Sequence, residues 1–114
     1  MISRNIFVTF EKEGIHCYPN APAGVEFLRS PHRHIFRFSV TVSVTHNDRD
    51  IEFILFKREL ENLYKGDTLQ IDSKSCEMLA EELIEYIKKN YPGRNSTVEV
   101  SEDGENGAIL HYTY

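Results

Sequence analysis

At 114 residues the chain has the length of one domain, residues 1–114, with a single core of two packed layers and no room for a second. Hydrophobic residues at 40% and charged residues at 27% describe an ordinary folded globule, with no low-complexity tract that would argue for disorder. A formal net charge of -5 lacks the basic footprint that a grip on nucleic-acid backbones requires, and no apolar run approaches the roughly 18 residues of a bilayer span.

The opening MISRNIFVTF has no apolar h-region of the kind a signal peptide needs, so a cytoplasmic address is expected, with Cys17 and Cys76 as reduced thiols. Ile6, Val8 and Phe10 then alternate with Thr9 and Glu11, the period of a half-buried strand. Past Gly14 the chain enters Pro19-Asn20-Ala21-Pro22-Ala23-Gly24, whose turn formers predict a loop. A second strand is marked by Phe36, Phe38, Val40, Val42 and Val44 on one face, against Arg37, Ser39, Thr41, Ser43 and Thr45 on the other.

Asn47-Asp48-Arg49-Asp50 breaks that alternation, and Asp50 is a candidate cap for a helix with Phe53, Phe56, Leu60 and Leu63 at helical spacing, ending near Lys65-Gly66-Asp67. Ser75 caps a second helix that buries Leu79, Leu83, Ile84 and Ile87 and stops at Tyr91-Pro92-Gly93. Its early Glu77, Glu81 and Glu82 and late Lys88 and Lys89 follow the helix dipole. A third strand spans Thr97 to Glu102, and Asn106-Gly107 signals a tight turn into a fourth from Ala108 to Tyr114. The order strand, strand, helix, helix, strand, strand predicts an α+β fold: a four-stranded antiparallel sheet with both helices on one face. The two open edges of such a sheet favour a homo-oligomer.

Continued backward, the alternation of the second strand puts His32 and His34 on the face of Phe36 and Phe38, where residues i and i+2 stand side by side. A catalytic zinc takes three protein ligands and keeps one position open. His16 shares the parity of Val8 and Phe10, so it is the candidate third ligand if the first strand continues past Gly14. Without such an ion, His32 and His34 are polar residues at the mouth of a strand. Glu102 ends the apolar face of Val98 and Val100, where a carboxylate must be paired or bonded, and its two acceptors suit the N–H edge of a pterin or guanine ring; the alternative is a solvated carboxylate opening the loop Glu102-Asp103-Gly104-Glu105. Cys17 falls on the opposite strand face from His16 and reads as an inert thiol, and His46 and His111 read as structural. Arg29, Arg33 and Arg37 could meet an anionic substrate or simply solvate a polar face.

In this order and topology the pieces resemble the 6-pyruvoyltetrahydropterin synthase and 6-carboxytetrahydropterin synthase family, the T-fold, over nearly the whole chain. His16 is similar to that family's first zinc histidine, and His32-Arg33-His34 to its His-Gly-His pair. Asp50-Ile51-Glu52-Phe53-Ile54-Leu55-Phe56-Lys57 resembles the Asp-Phe-x-x-Leu-Lys opening of the first helix, and Ser75-Cys76-Glu77-Met78-Leu79-Ala80 the Pro-Thr-x-Glu-x-x-Ala opening of the second. Val98-Glu99-Val100-Ser101-Glu102, with Ala108 and Tyr112 beyond, resembles the strand whose glutamate anchors the pterin.

The resemblance implies a homo-oligomeric barrel (trimer or hexamer), zinc at His16, His32 and His34, and a pterin or purine-like ligand on Glu102. It further implies a carbon–oxygen lyase of tetrahydropterin or queuosine biosynthesis acting on dihydroneopterin triphosphate. The departures bear on that activity. The family's catalytic cysteine precedes its His-x-His, where this chain reads Val25-Glu26-Phe27-Leu28-Arg29-Ser30-Pro31. Its Asp-His pair lies between the helices, where Leu63 to Ser75 holds Asp67 and Asp72 but no histidine. Phe10 and His16 also stand further apart than the family's Phe-x-x-x-His, which calls for a bulge or a longer hairpin arm. A non-catalytic T-fold oligomer that binds such a heterocycle is the alternative.

Overall fold

The computed structural model describes residues 1–114. Strand β1 (Asn5–His16) and strand β2 (His32–Ser43) form a long antiparallel hairpin in unbroken register, from Asn5 opposite Ser43 to His16 opposite His32. The first strand therefore runs straight through Gly14, and the longer hairpin arm, with no bulge between the two strands, carries His16 to its end. A short 3-10 turn at Glu26–Arg29 lies in the connection.

Helix α1 (Phe53–Glu61) is capped by Glu52, whose carboxylate accepts from the backbone N–H groups of Ile54 and Leu55. Asp50 is not the cap. Its carboxylate accepts from the backbone N–H and hydroxyl of Thr45 and from Arg94, tying the segment just after β2 to the chain just before residue 96. Of the apolar stripe expected on this helix, Phe56 and Leu60 are buried, whereas Phe53, in the first turn, is exposed, as is Leu63, which lies past the helix end at Glu61.

Strand β3 (Leu69–Asp72) follows and pairs in parallel with the end of β1, Gly14 opposite Leu69. Helix α2 (Cys76–Asn90) begins at Ser75, whose hydroxyl accepts from the Met78 N–H, and buries Leu79, Leu83, Ile84 and Ile87 as its spacing predicts. Strands β4 (Ser96–Glu102) and β5 (Asn106–Tyr112) close the chain as an antiparallel hairpin.

The sheet thus has five strands in the order β3-β1-β2-β4-β5 and is mixed, which corrects the expected four-stranded antiparallel sheet. The added strand is only four residues long, with Leu69 and Ile71 turned into the core, and it closes off the edge of β1 beside Gly14. The final turn also moves. It is made by Asp103 and Gly104, both with left-handed backbone, while Asn106 and Gly107 belong to β5. Gly107 is needed inside that strand, since a Cβ there would stand 2.2 Å from the Val100 carbonyl oxygen.

One core holds the fold. The even-numbered residues of β1, β2 and β4 meet the buried faces of both helices in a single apolar cluster, so the helices lie on one side of the sheet. Phe10 and Phe38, opposite one another across the hairpin, stack with centroids 4.8 Å apart. The other side carries Glu11, Glu13, Arg33 and Arg37, joined as the ion pairs Arg33–Glu13 and Arg37–Glu11.

Candidate metal centre

The β1–β2 register sets His16 and His32 directly opposite one another, and His34 follows two residues later on the same face, opposite Gly14. The three rings stand edge-on around a common point. Their centroids are 4.6 Å (His16–His32), 4.9 Å (His32–His34) and 5.2 Å (His16–His34) apart, at interplanar angles of 69–86°. Phe36, fully buried, forms the floor, 5.1 Å from His16 and 6.0 Å from His34. Gly14 makes this layer possible, because a Cβ on it would come within 2.5 Å of Ile71 and 2.9 Å of Phe36.

Each imidazole has its Nδ1 turned to an oxygen: His32 to the Ser30 carbonyl at 2.8 Å, His34 to the Asp103 carboxylate at 2.7 Å and His16 to the Lys74 carbonyl at 3.4 Å. With Nδ1 donating, Nε2 is left as a bare lone pair in all three rings. Those Nε2 atoms are buried and have no hydrogen-bond partner. A buried polar atom left unpaired costs roughly 1–3 kcal/mol. Three of them at one point form a hole shaped for a cation, and the candidate donor atoms of the three residues all lie within 4.8 Å of one another. Ligands on a tetrahedral zinc with bonds of about 2.0–2.1 Å stand about 3.4 Å apart. Small ring rotations would bring the set to that spacing. Burial, above all, holds the His16 imidazole below its usual range, which keeps it in the neutral form that a metal requires. The residues fit a divalent ion of the kind nitrogen ligands favour; their donor set alone does not single out zinc.

Glu102 lies at the same centre. It ends β4 on the face of Val98 and Val100, and its carboxylate oxygens stand 3.0 Å from His34 Nε2 and 3.6 Å from His16 Nε2. Beside it opens a pocket of about 520 Å³ lined by His16, His32, Cys17, Cys76 and Glu102, within the size range of small-molecule sites. A larger hollow of about 730 Å³, over Glu11, Arg37, Lys57 and Glu99, contains no histidine.

Two contributors were hidden in the sequence. Asp103 stands in the turn after β4, where its backbone N–H donates to the Ile35 carbonyl while its carboxylate accepts from the Ile35 N–H and from His34 Nδ1. Asp103-Gly104 is itself a turn signal placed directly after Glu102, and it was the available clue. Cys76, at the first turn of α2, lines the pocket, and burial, with Glu102 and Glu77 adding to it, pushes its thiol up to about 11. Cys17, expected on the strand face opposite His16, instead lines the pocket, because β1 ends at His16 and the chain turns there; the other candidates lie elsewhere. His46 accepts from the Asp48 N–H, His111 pairs with the Thr97 hydroxyl, and Arg29 donates to the Ala21 carbonyl.

No protein-family model matches the chain, and no curated protein matches it. The fold is similar to a solved structure from Wolinella succinogenes, described as the uncharacterized protein WS1659, with a TM-score of 0.72 at 14% identity, covering 99% of this chain and 100% of that one. That likeness establishes a shared α+β fold.

Proposed function

We propose that the chain is a metal-binding T-fold protein, a divergent member of the 6-pyruvoyltetrahydropterin and 6-carboxytetrahydropterin synthase family. In this reading His16, His32 and His34 hold a zinc ion beside a pocket for a pterin or purine-like heterocycle. One observation carries the metal: three buried Nε2 atoms without partners, each on a ring whose Nδ1 is fixed by an oxygen. A zinc ion held there supplies Lewis-acid polarisation of a hydroxyl or carbonyl on the ligand. The chain's own part is to orient the ring through Glu102 and to exclude water with Phe36 and the first turn of α2.

The first reading is a metal-dependent carbon–oxygen lyase. The second is a non-catalytic binder of the same ligand, and a specific observation favours it. Two cysteines line the pocket, Cys17 partly exposed and Cys76 buried with its thiol pushed up to about 11, but no histidine beyond the metal set lines it to move a proton. Purification without chelator followed by elemental analysis tests the metal, with one zinc per chain expected. A metal-free protein that ignores added zinc removes both readings. Incubation with dihydroneopterin triphosphate separates them, since product means lyase and binding without turnover means binder.

A homo-oligomeric barrel, a trimer or hexamer, belongs to this proposal. Its support is the pair of sheet edges at β3 and β5 and the exposed apolar side chains of Phe7, Ile35 and Ile109 on the uncovered sheet face. Light scattering on the purified chain decides it, and a monomer removes it. No helix is long and apolar enough to cross a membrane, and the free thiols of Cys17 and Cys76 suit a reducing compartment such as the cytoplasm.

A further inference from the structure

We infer that Glu102 is a fourth ligand of the metal centre and closes the position that three histidines leave open. The inference rests on the metal reading above and goes beyond it. Glu102 sits opposite Phe36 in the β2–β4 ladder, so its side chain rises from the same floor as the histidines. Its oxygens stand 3.0 Å from His34 Nε2 and 3.6 Å from His16 Nε2, on either side of the roughly 3.4 Å that separates two ligands of one tetrahedral ion.

A hydrogen bond does not explain these contacts. The 3.0 Å approach lacks hydrogen-bond geometry, and His34 Nε2 remains without a partner despite it. In a hydrogen bond the oxygen lies along the N–H direction; a co-ligand lies to the side of it, because the ion takes the axis. His34 Nδ1 lies 2.7 Å from the Asp103 carboxylate, which holds the ring from its other side. A carboxylate oxygen 3.0 Å from Nε2 and off its hydrogen-bond axis is favourable when a cation stands between the two atoms, or when the ring is itself an imidazolium paired with Glu102 and Asp103 alike, and cobalt spectra distinguish the two. Charge closes in the same way. Three neutral imidazoles, the Glu102 carboxylate as ligand and the Asp103 carboxylate behind His34 balance a divalent ion.

The consequence concerns access. A full set of four protein ligands is the pattern of a closed site, and a small molecule reaches the ion only when one ligand leaves. Glu102 cannot hold a heterocycle's N–H edge and the metal with the same oxygens, so the two roles alternate. Ligand capture draws the carboxylate off the ion, and ligand release lets it return.

Cobalt(II) loaded into the zinc-free protein reports the ligand set by its visible absorption. In the wild type the bands should be those of a four-coordinate site and should not move with millimolar azide, because no position is open. E102Q should lose zinc affinity by about 100-fold or more in competition with a chromophoric chelator, beyond the loss of about 10- to 100-fold typical of an outer partner, and its cobalt bands should shift with azide. In E102A, millimolar acetate should restore bands like those of the wild type. Azide shifting the wild-type bands overturns the inference whether or not any variant folds, and so does an E102Q protein equal to wild type in affinity and spectrum. In either case the three-histidine site survives. A wild type that takes up neither zinc nor cobalt overturns this inference and the metal reading together.

Discussion

Asp103 decides which nitrogen of His34 faces the three-histidine cluster. Its carboxylate accepts from Nδ1 at 2.7 Å while the second oxygen accepts from the Ile35 N–H at 2.9 Å, so the ring is held in both orientation and tautomer. In D103N the amide oxygen can keep the Ile35 bond, but the amide nitrogen then faces Nδ1 as a donor. His34 must answer by accepting there and carrying its proton on Nε2, the atom proposed to face the ion. Zinc affinity should therefore fall by about 10- to 100-fold while the metal-free protein melts within a few degrees of wild type, as chelator competition and thermal unfolding measure. The alternation of β2 was enough to bring His32 and His34 to one face, and the parity of β1 added His16. Asp103 was not readable in that way, because its contact depends on a left-handed turn that carries the chain back over Ile35.

Asp50 is a second residue whose role came from tertiary structure. The Arg94 guanidinium, first, and then the Thr45 N–H hold its carboxyl well below the usual aspartate range. Between the ordinary value of about 3.9 and the folded one, the unfolded chain binds the proton more readily, so the stability Asp50 contributes is present above about pH 4 and is lost as pH falls. D50N should be less stable than wild type at pH 7, and the gap should narrow as denaturant midpoints are followed down to pH 3. A gap that stays constant across that range would assign the loss to packing and not to the charge.

At the scale of elements, the β1–β2 hairpin carries the site and β3 sets its tolerance. The strand periods and the α2 stripe were legible because each buries one regular face. Strand β3 was not, since four residues are too few to establish a period, and its partner is the edge of a strand some fifty positions earlier. Its Ile71 packs against the one position on β1 that has no side chain. G14A would place a methyl group 2.5 Å from Ile71 Cδ1 and 2.9 Å from the Phe36 ring, directly opposite His34. Overpacking of this kind costs about 1–3 kcal/mol. Urea unfolding should show that loss, and zinc affinity should fall with it, because Phe36 is the floor on which the three rings stand. A pairing of G14A with a smaller residue at position 71, I71V, should recover part of both.

For the whole molecule, the one core of sheet and helices does not use the three imidazoles; it ends at Phe36 and leaves their Nε2 atoms buried and unpaired. The native state therefore tolerates an unfavourable cluster that a cation would resolve and that the unfolded chain does not have. Binding to the native state alone raises stability by RT ln(1 + [L]/Kd), about 2.7 kcal/mol when free zinc stands at 100 times its Kd. Thermal unfolding should accordingly move up by several degrees with zinc, saturate at one ion per chain and return to its starting value with excess chelator. In H32A the same titration should be flat. The metal-free H32A protein should melt close to metal-free wild type, because the substitution removes an unpaired polar atom along with a partly exposed ring. A metal-free H32A protein that melts far below wild type would instead mean that the histidine cluster is part of the core's own packing, and the zinc increment would then have to be read from H34A.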